Sequence, residues 1–196
     1  PRPVFCAGYD VAGFDHPGHD PRLFERVPDA IEALRPVTLC ALGGSVYGGA
    51  TELALACDLR IAAAGGELRM PAAALGLHYY RSGLRRYVSR LGLAGAKRAF
   101  LTAQTLRYEA LHAWGAIDAL VPADGFEPAV QALARHLAAL APLALQATKR
   151  SLDEIARGDY DEPRLREREA MTLASADFAE GRAALAQKRT PTYTGR

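Results

Sequence analysis

Apolar and polar positions alternate between short strand-like runs and longer helical ones along this chain, and glycine pairs mark most of the junctions. The run VTLCAL, residues 37–42, is apolar, rich in strand formers and stopped by Gly43-Gly44, which predicts a buried strand and a turn. After SVY and a second pair, Gly48-Gly49, the segment ATELALACD spaces Leu53, Ala54, Ala56 and Cys57 as a short buried helix would. LRIAAA follows from Leu59 with alternating Leu59, Ile61 and Ala63, predicting another strand closed by Gly65-Gly66. The unit over these residues is therefore strand, glycine turn, helix, strand, and no internal repeat stands out along the chain.

Further on, the pattern predicts a helix pair between Leu84 and Gln104, broken near Gly92, and a strand in AIDALVP that ends at Pro122. From Glu127 the period is helical only: PAVQALARHLAAL, then PLALQATKRSLDEIA with Pro142 at a helix start, then a charged stretch from Glu162 through Gln187. Such a tail cannot bury all its apolar faces by itself, so it is expected to pack on the main unit or on a neighbouring subunit. At the other end, PRPVFCAG enters a strand-like segment without a starting signal, and a further N-terminal piece is expected before it.

At 196 residues and 49% hydrophobic, the chain suits one sizeable core with a smaller helical extension. Its 24 basic and 22 acidic residues are scattered, and no basic run of the kind that tracks phosphates is present, so nucleic acid is not an expected partner. No apolar run approaches the ~20 residues of a membrane span, and the expectation is a soluble, cytoplasmic protein that does not engage a membrane. Cys6, Cys40 and Cys57 sit in apolar stretches and read as buried free thiols rather than a disulfide framework. His16 and His19, flanked by Asp15 and Asp20, have zinc-ligand chemistry, but Pro17-Gly18 marks a turn and no further ligand cluster completes a site; no metal is expected.

Two glycine-bearing turns carry the candidate chemistry, FCAGYD at residues 5–10 and GGSVYGGATE at residues 43–52. Glycine lets a backbone approach a ligand closely, and a helix starting just after Gly49 leaves its first N–H groups without intrahelical partners, where they attract developing negative charge. Taken alone, such turns could equally be tight connections between packed elements. Read in order with GGSVYGGATELALACDLRIAA and the terminal EGRAALAQKRTPTYTGR, however, they resemble the signature segments of the enoyl-CoA hydratase/isomerase (crotonase) family, from Val4 to Arg196.

That resemblance implies an α/β fold, a crotonase-like spiral of strand-strand-helix turns over residues 1–124 that lacks its N-terminal part, and a C-terminal helical oligomerisation region over 125–196. It implies acyl-CoA thioester substrates, no cofactor beyond the CoA that is part of the substrate, and a homotrimer or dimer of trimers. It also implies that the N–H groups of Tyr9 and Gly49 hold the thioester oxygen, with Ala7, Gly8, Gly48 and Ala72 among the residues that bind the substrate and its CoA. Glu52 falls on the position of one of two carboxylates that activate water in hydratases, although an acid in the first turn of a helix could instead complement the helix dipole. Where hydratases and isomerases of the family read Q-P-E, this chain has Met70-Pro71-Ala72, and Ala72 can neither accept nor donate a proton.

GSVYGGATE and LGLHYYRSG look like the corresponding segments of the branch that decarboxylates methylmalonyl-CoA, with Tyr79 on the tyrosine that contacts the substrate carboxylate. That branch usually has histidine where Tyr9 stands. Arg81, Arg85 and Arg86 could reach CoA phosphates or a carboxylate, or could form a solvated helix start. Lys188 resembles a lysine that approaches the CoA of an adjacent subunit. Decarboxylation of a malonyl-type CoA is the expected reaction; hydration or isomerisation through an altered proton relay, and a catalytically silent assembly subunit, are the alternatives.

Overall fold

The computed structural model describes residues 3–10, 12, 13, 18, 20 and 22–196. The chain forms two compact units, Pro1–Leu34 with Thr38–Val130, and Arg35–Val37 with Gln131–Arg196.

In the first unit, β1 (Val4–Cys6), α1 (Leu23–Glu32), β2 (Leu39–Leu42), β3 (Ser45–Tyr47), α2 (Gly49–Ala56), β4 (Leu59–Ala63), β5 (Glu67–Arg69), α3 (Arg81–Thr102), β6 (Leu106–Arg107), α4 (Tyr108–Ala113) and β7 (Ala119–Val121) follow in order. Strands β2, β4 and β7 make one parallel sheet, and β1, β3, β5 and β6 make the other, parallel except where β6 joins β5. The glycine pairs at 43–44 and 65–66 explain this division. Each lets the chain leave the first sheet after β2 or β4 and lay three residues into the second as β3 or β5, from which it returns through α2 to β4, or through α3, β6 and α4 to β7. The result is a spiral of strand-strand-helix turns, with Leu42, Val46, Leu55, Leu68, Tyr87 and Leu111 in the core between its layers.

The sequence pattern located β2, α2, β4 and β7, and it located the break in α3, where Gly92 adopts φ 67° inside the helix. It did not separate β3 or β5, and it did not place α1. The alternation expected in β4 is absent: Arg60 through Ala63 are all buried, because the sheet is covered on both faces. Arg60 is tolerated there because its guanidinium donates to the carbonyls of Ala116 at 2.6 Å and Cys57 at 2.7 Å. Cys6, Cys40 and Cys57 are free thiols, half-buried rather than fully buried.

The second unit contains most of α5 (Phe126–Ala138), then α6 (Pro142–Arg157), α7 (Glu162–Leu173) and α8 (Ala176–Gln187). Pro142 opens α6, Gly158 ends it in the left-handed region, and the side chains of Asp161 and Ser175 cap α7 and α8 by accepting from Arg164 and Phe178 N–H groups. Arg168 on α7 grips Glu154 on α6 with two 2.7 Å hydrogen bonds. Among the described residues, no helix is long and apolar enough to cross a membrane.

Candidate active site

Parallel pairing of Cys6 with Val46 brings the ends of β1 and β3 side by side, so that the loops leaving them meet. Gly8 has φ +99°, and a β-carbon on it would lie 2.5 Å from the Tyr47 carbonyl oxygen and 2.9 Å from the Gly49 nitrogen. Only glycine fits there. Gly48 has φ +55°, donates its N–H to the Arg69 carbonyl of β5 at 2.9 Å, and accepts from Thr51 N–H and Oγ1. Gly49 begins α2, where main-chain N–H groups lie outside the intrahelical ladder, and a β-carbon on it would strike the Phe24 ring at 2.7 Å. Loop, turn and helix start are thus clamped by β5 on one side and α1 on the other.

These loops open onto a cavity of about 410 Å³. Ala7, Tyr9, Gly48, Gly49, Ala72 and Tyr79 all line it, which brings together six of the residues marked in the sequence. Gly8 is not on the lining; it packs against the Tyr47 carbonyl and the Gly49 nitrogen. Ala72 opens a short 3-10 helix, Ala72–Leu75, that Gly76 terminates at φ 71°. Met70, Pro71, Leu75 and Leu77 give the cavity an apolar wall. Phe24, Glu25, Tyr47, His78 and Tyr80 also line it, and the sequence reading had assigned none of them to the site. Lys188 ends α8 in the second unit, exposed and in the left-handed region at φ 54°.

Glu52 is not among the lining residues. It is wholly buried and ion-paired with Arg86, which is wholly buried too. Arg86 also donates to Asp29 at 2.5 Å and to Glu32 at 3.4 Å, and Arg85 reaches Glu32 at 2.5 Å. This corrects both readings of that arginine: Arg86 is neither a solvated helix residue nor a free phosphate ligand, but the centre of a knot joining α1, α2 and α3. A residue with five donors and a permanent charge is buried at great cost unless acceptors surround it, and at Arg86 those acceptors are carboxylates. The signal for this knot was present in α1, where Glu25, Asp29 and Glu32 recur at helical spacing.

Burial pushes the Glu52 carboxyl up to about 7; the Arg86 charge and hydrogen bond oppose the rise, and the charges of Asp29 and Glu32 add to it. Glu32 is less deeply enclosed: burial raises it, but the Arg85 hydrogen bond and the Arg86 charge win and hold it below its ordinary value. Tyr79 and Tyr80 are both raised, first by burial and then by the charge of Glu52, so each is a neutral phenol at physiological pH. Tyr87 hydrogen-bonds Thr51 beneath them.

The family model described as enoyl-CoA hydratase/isomerase matches residues 2–196. A probable enoyl-CoA hydratase of Mycobacterium bovis is 31% identical over 193 residues, covering 98% of this chain and 77% of that protein. Methylmalonyl-CoA decarboxylase of Escherichia coli K12 is 28% identical over 200 residues, again covering 98% of this chain and 77% of the relative. Among solved structures, an enoyl-CoA hydratase from Mycobacterium tuberculosis H37Rv aligns with TM-score 0.82 at 31% identity, over 100% of this chain and 78% of the other.

Proposed function

The chain belongs to the enoyl-CoA hydratase/isomerase family, and from that premise we propose that it decarboxylates a malonyl-type CoA thioester such as methylmalonyl-CoA. The observation that carries the reading is the missing carboxylate pair. Hydration shares its proton transfers between two acids, yet Ala72 stands at one position and Glu52 is withdrawn into an ion pair with Arg86 at the other.

Decarboxylation needs no base. The bond from the α-carbon to the carboxylate breaks, carbon dioxide leaves, its electron pair becomes an enolate on the thioester, and the α-carbon then takes a proton. The N–H groups of Tyr9 and Gly49 would hold the enolate oxygen, each such donor contributing about 3 kcal/mol to lowering the barrier. Met70, Pro71 and Leu75 supply an apolar wall against which a carboxylate sheds water, which favours its loss as neutral carbon dioxide. Similarity to methylmalonyl-CoA decarboxylase supports the same assignment. Exposed Leu152, Ile155, Leu173, Phe178 and Leu185 on α6, α7 and α8 support assembly into a homotrimer or dimer of trimers, in which Lys188 would meet a neighbour's CoA.

A second reading rests on Glu25, a carboxylate that does line the cavity, as His78 does too. Together they could supply a hydratase relay different from the usual pair. Mass spectrometry of the products formed from methylmalonyl-CoA and, separately, crotonyl-CoA decides between the two. Loss of carbon dioxide from the first is the expected result. Gain of water by the second alone would replace the decarboxylase with the Glu25 hydratase, and no conversion of either would leave an assembly subunit.

A further inference from the structure

Neither Cys40 nor Cys57 lines the cavity, yet both stand at the end of α2 opposite Gly49. Cys57 follows α2 directly, in an extended conformation at φ −69° and ψ 156°. Its Sγ donates to the Leu53 carbonyl at 3.6 Å, which turns the side chain back along the helix. The residues after it are stitched to the start of β2. The Asp58 and Leu59 N–H groups donate to the Thr38 carbonyl at 3.1 and 3.0 Å, and the Asp58 carboxylate accepts from Thr38 N–H at 2.6 Å.

Cys40 reaches the same place from β2. It pairs with Arg60 across the parallel β2–β4 ladder, and residues paired in this way project to one face of the sheet. The Arg60 guanidinium marks that face, because it donates to the carbonyls of Ala54 and Cys57 at 3.5 and 2.7 Å, at the end of α2. The Cys40 side chain therefore points at Cys57, and its thiol donates a hydrogen bond to the Cys57 sulfur. Two half-buried thiols aimed at each other from a stitched backbone meet the directional requirement of a disulfide. The hydrogen bond from Cys40 and the charge of Arg60 hold the Cys57 thiol below its ordinary value, against burial and the charge of Asp58. Giving that hydrogen bond, and burial, raise Cys40. One sulfur is thus set to attack and the other to resolve.

We propose that Cys40 and Cys57 form a redox site, oxidised to an intramolecular disulfide by a low-molecular-weight disulfide, and that this bond controls the cavity through α2. The Cys57 thiolate attacks one sulfur of the small disulfide RSSR, forming Cys57–S–SR and releasing RS⁻. Cys40 then gives up its proton and attacks the Cys57 sulfur, which expels the second RS⁻. The two protons lost by the protein thiols pass to the two leaving thiolates, so the dithiol is oxidised by two electrons and RSSR is reduced to two RSH. Bonding draws the end of α2 towards β2. With eight residues the helix is about 12 Å long, and a shift at Cys57 is carried to Gly49, which is clamped between Phe24 and the Gly8 loop.

The test treats the reduced wild-type chain with excess oxidised glutathione. Mass spectrometry is expected to show the loss of two hydrogen atoms with no glutathione retained. After alkylation, a digest cut at Glu52, which lies between the two cysteines, should find them linked and Cys6 alkylated. Conversion of methylmalonyl-CoA or crotonyl-CoA, whichever is turned over, should change about fivefold or more, an ordinary size for coupling between two sites, and return with dithiothreitol. If neither reacts, calorimetric affinity for the same thioesters is read instead. Cys40→Ala should stop at the mixed disulfide and hold glutathione on Cys57, whereas Cys57→Ala should take none up at Cys40. Thiols that stay free, a bond to Cys6 or between chains, glutathione left on wild-type Cys57, or a disulfide that changes neither conversion nor affinity would each overturn the proposal. The sulfur readout is independent of the acyl-CoA reaction, so failure of the decarboxylase reading and failure of the redox site are separate results.

Discussion

Arg86, on α3, ties three helices of the first unit together, since carboxylates from α1 and α2 converge on it. Removing one partner of a buried ion pair strands the other, at a typical cost of about 3–5 kcal/mol, whereas removing both can be nearly neutral. Arg86→Met is therefore expected to lower urea-unfolding stability by that amount at pH 8, and adding Glu52→Gln should recover a large part of it. Glu52 also sets a pH dependence. Its folded value of about 7 lies above its ordinary 4.5, so the folded state keeps a proton that the unfolded chain releases between those values. Stability contributed by this group is full below about pH 4.5 and is lost as pH rises towards 7, at no more than about 1.4 kcal/mol per pH unit. Glu32 works in the opposite sense, so the contribution of Glu52 is best read as the difference between wild type and Glu52→Gln across pH 4 to 8, which should flatten above 7. The position of Glu52 near the oxyanion turn was legible in the sequence. Its partner was not, because an arginine 34 residues away enters the picture only when α3 packs on α2.

Glycines decide whether the elements meet correctly. Gly83 lies in the first turn of α3, where alanine is favoured by about 1 kcal/mol of helix propensity, yet its β-carbon would displace the stacked rings of Tyr79 and Tyr80. Gly83→Ala should keep its helix by circular dichroism and, on the decarboxylase proposal, lose at least tenfold in kcat/KM for methylmalonyl-CoA. Gly8→Ala faces a left-handed φ and a carbonyl at 2.5 Å, so the loop must move away from Gly49; a fall in turnover of about a hundredfold is expected, the usual effect of losing one anion-holding donor. Glycine pairs and helical periods made β2, α2, β4 and α3 readable in advance. Strands β3 and β5 are only three residues long, too short to show a period, and the proline inside α1 at Pro28 breaks the helical signal there.

For the whole molecule, the exposed apolar side chains of the second unit set the expectation. Leu185 is 81% and Leu152 61% exposed, and faces of this kind ordinarily find a partner. Light scattering behind size exclusion should report three or six copies of the 21.0 kDa chain, and Leu152→Glu with Leu185→Glu should shift that mass towards a single copy. The helical character of this region was legible in its period, whereas which faces stay uncovered depends on how α6, α7 and α8 lie against each other. The clamped turn at Gly48 and Gly49 has one more consequence. The groups proposed to hold the thioester are main-chain atoms, which substitutions elsewhere in the cavity leave in place, while side chains such as those of Ala72 and Tyr79 line the same cavity and can change independently of them. Inheritance can therefore rewrite the reaction one side chain at a time without losing the grip on the substrate, so that each new activity starts from a protein already able to activate its thioester.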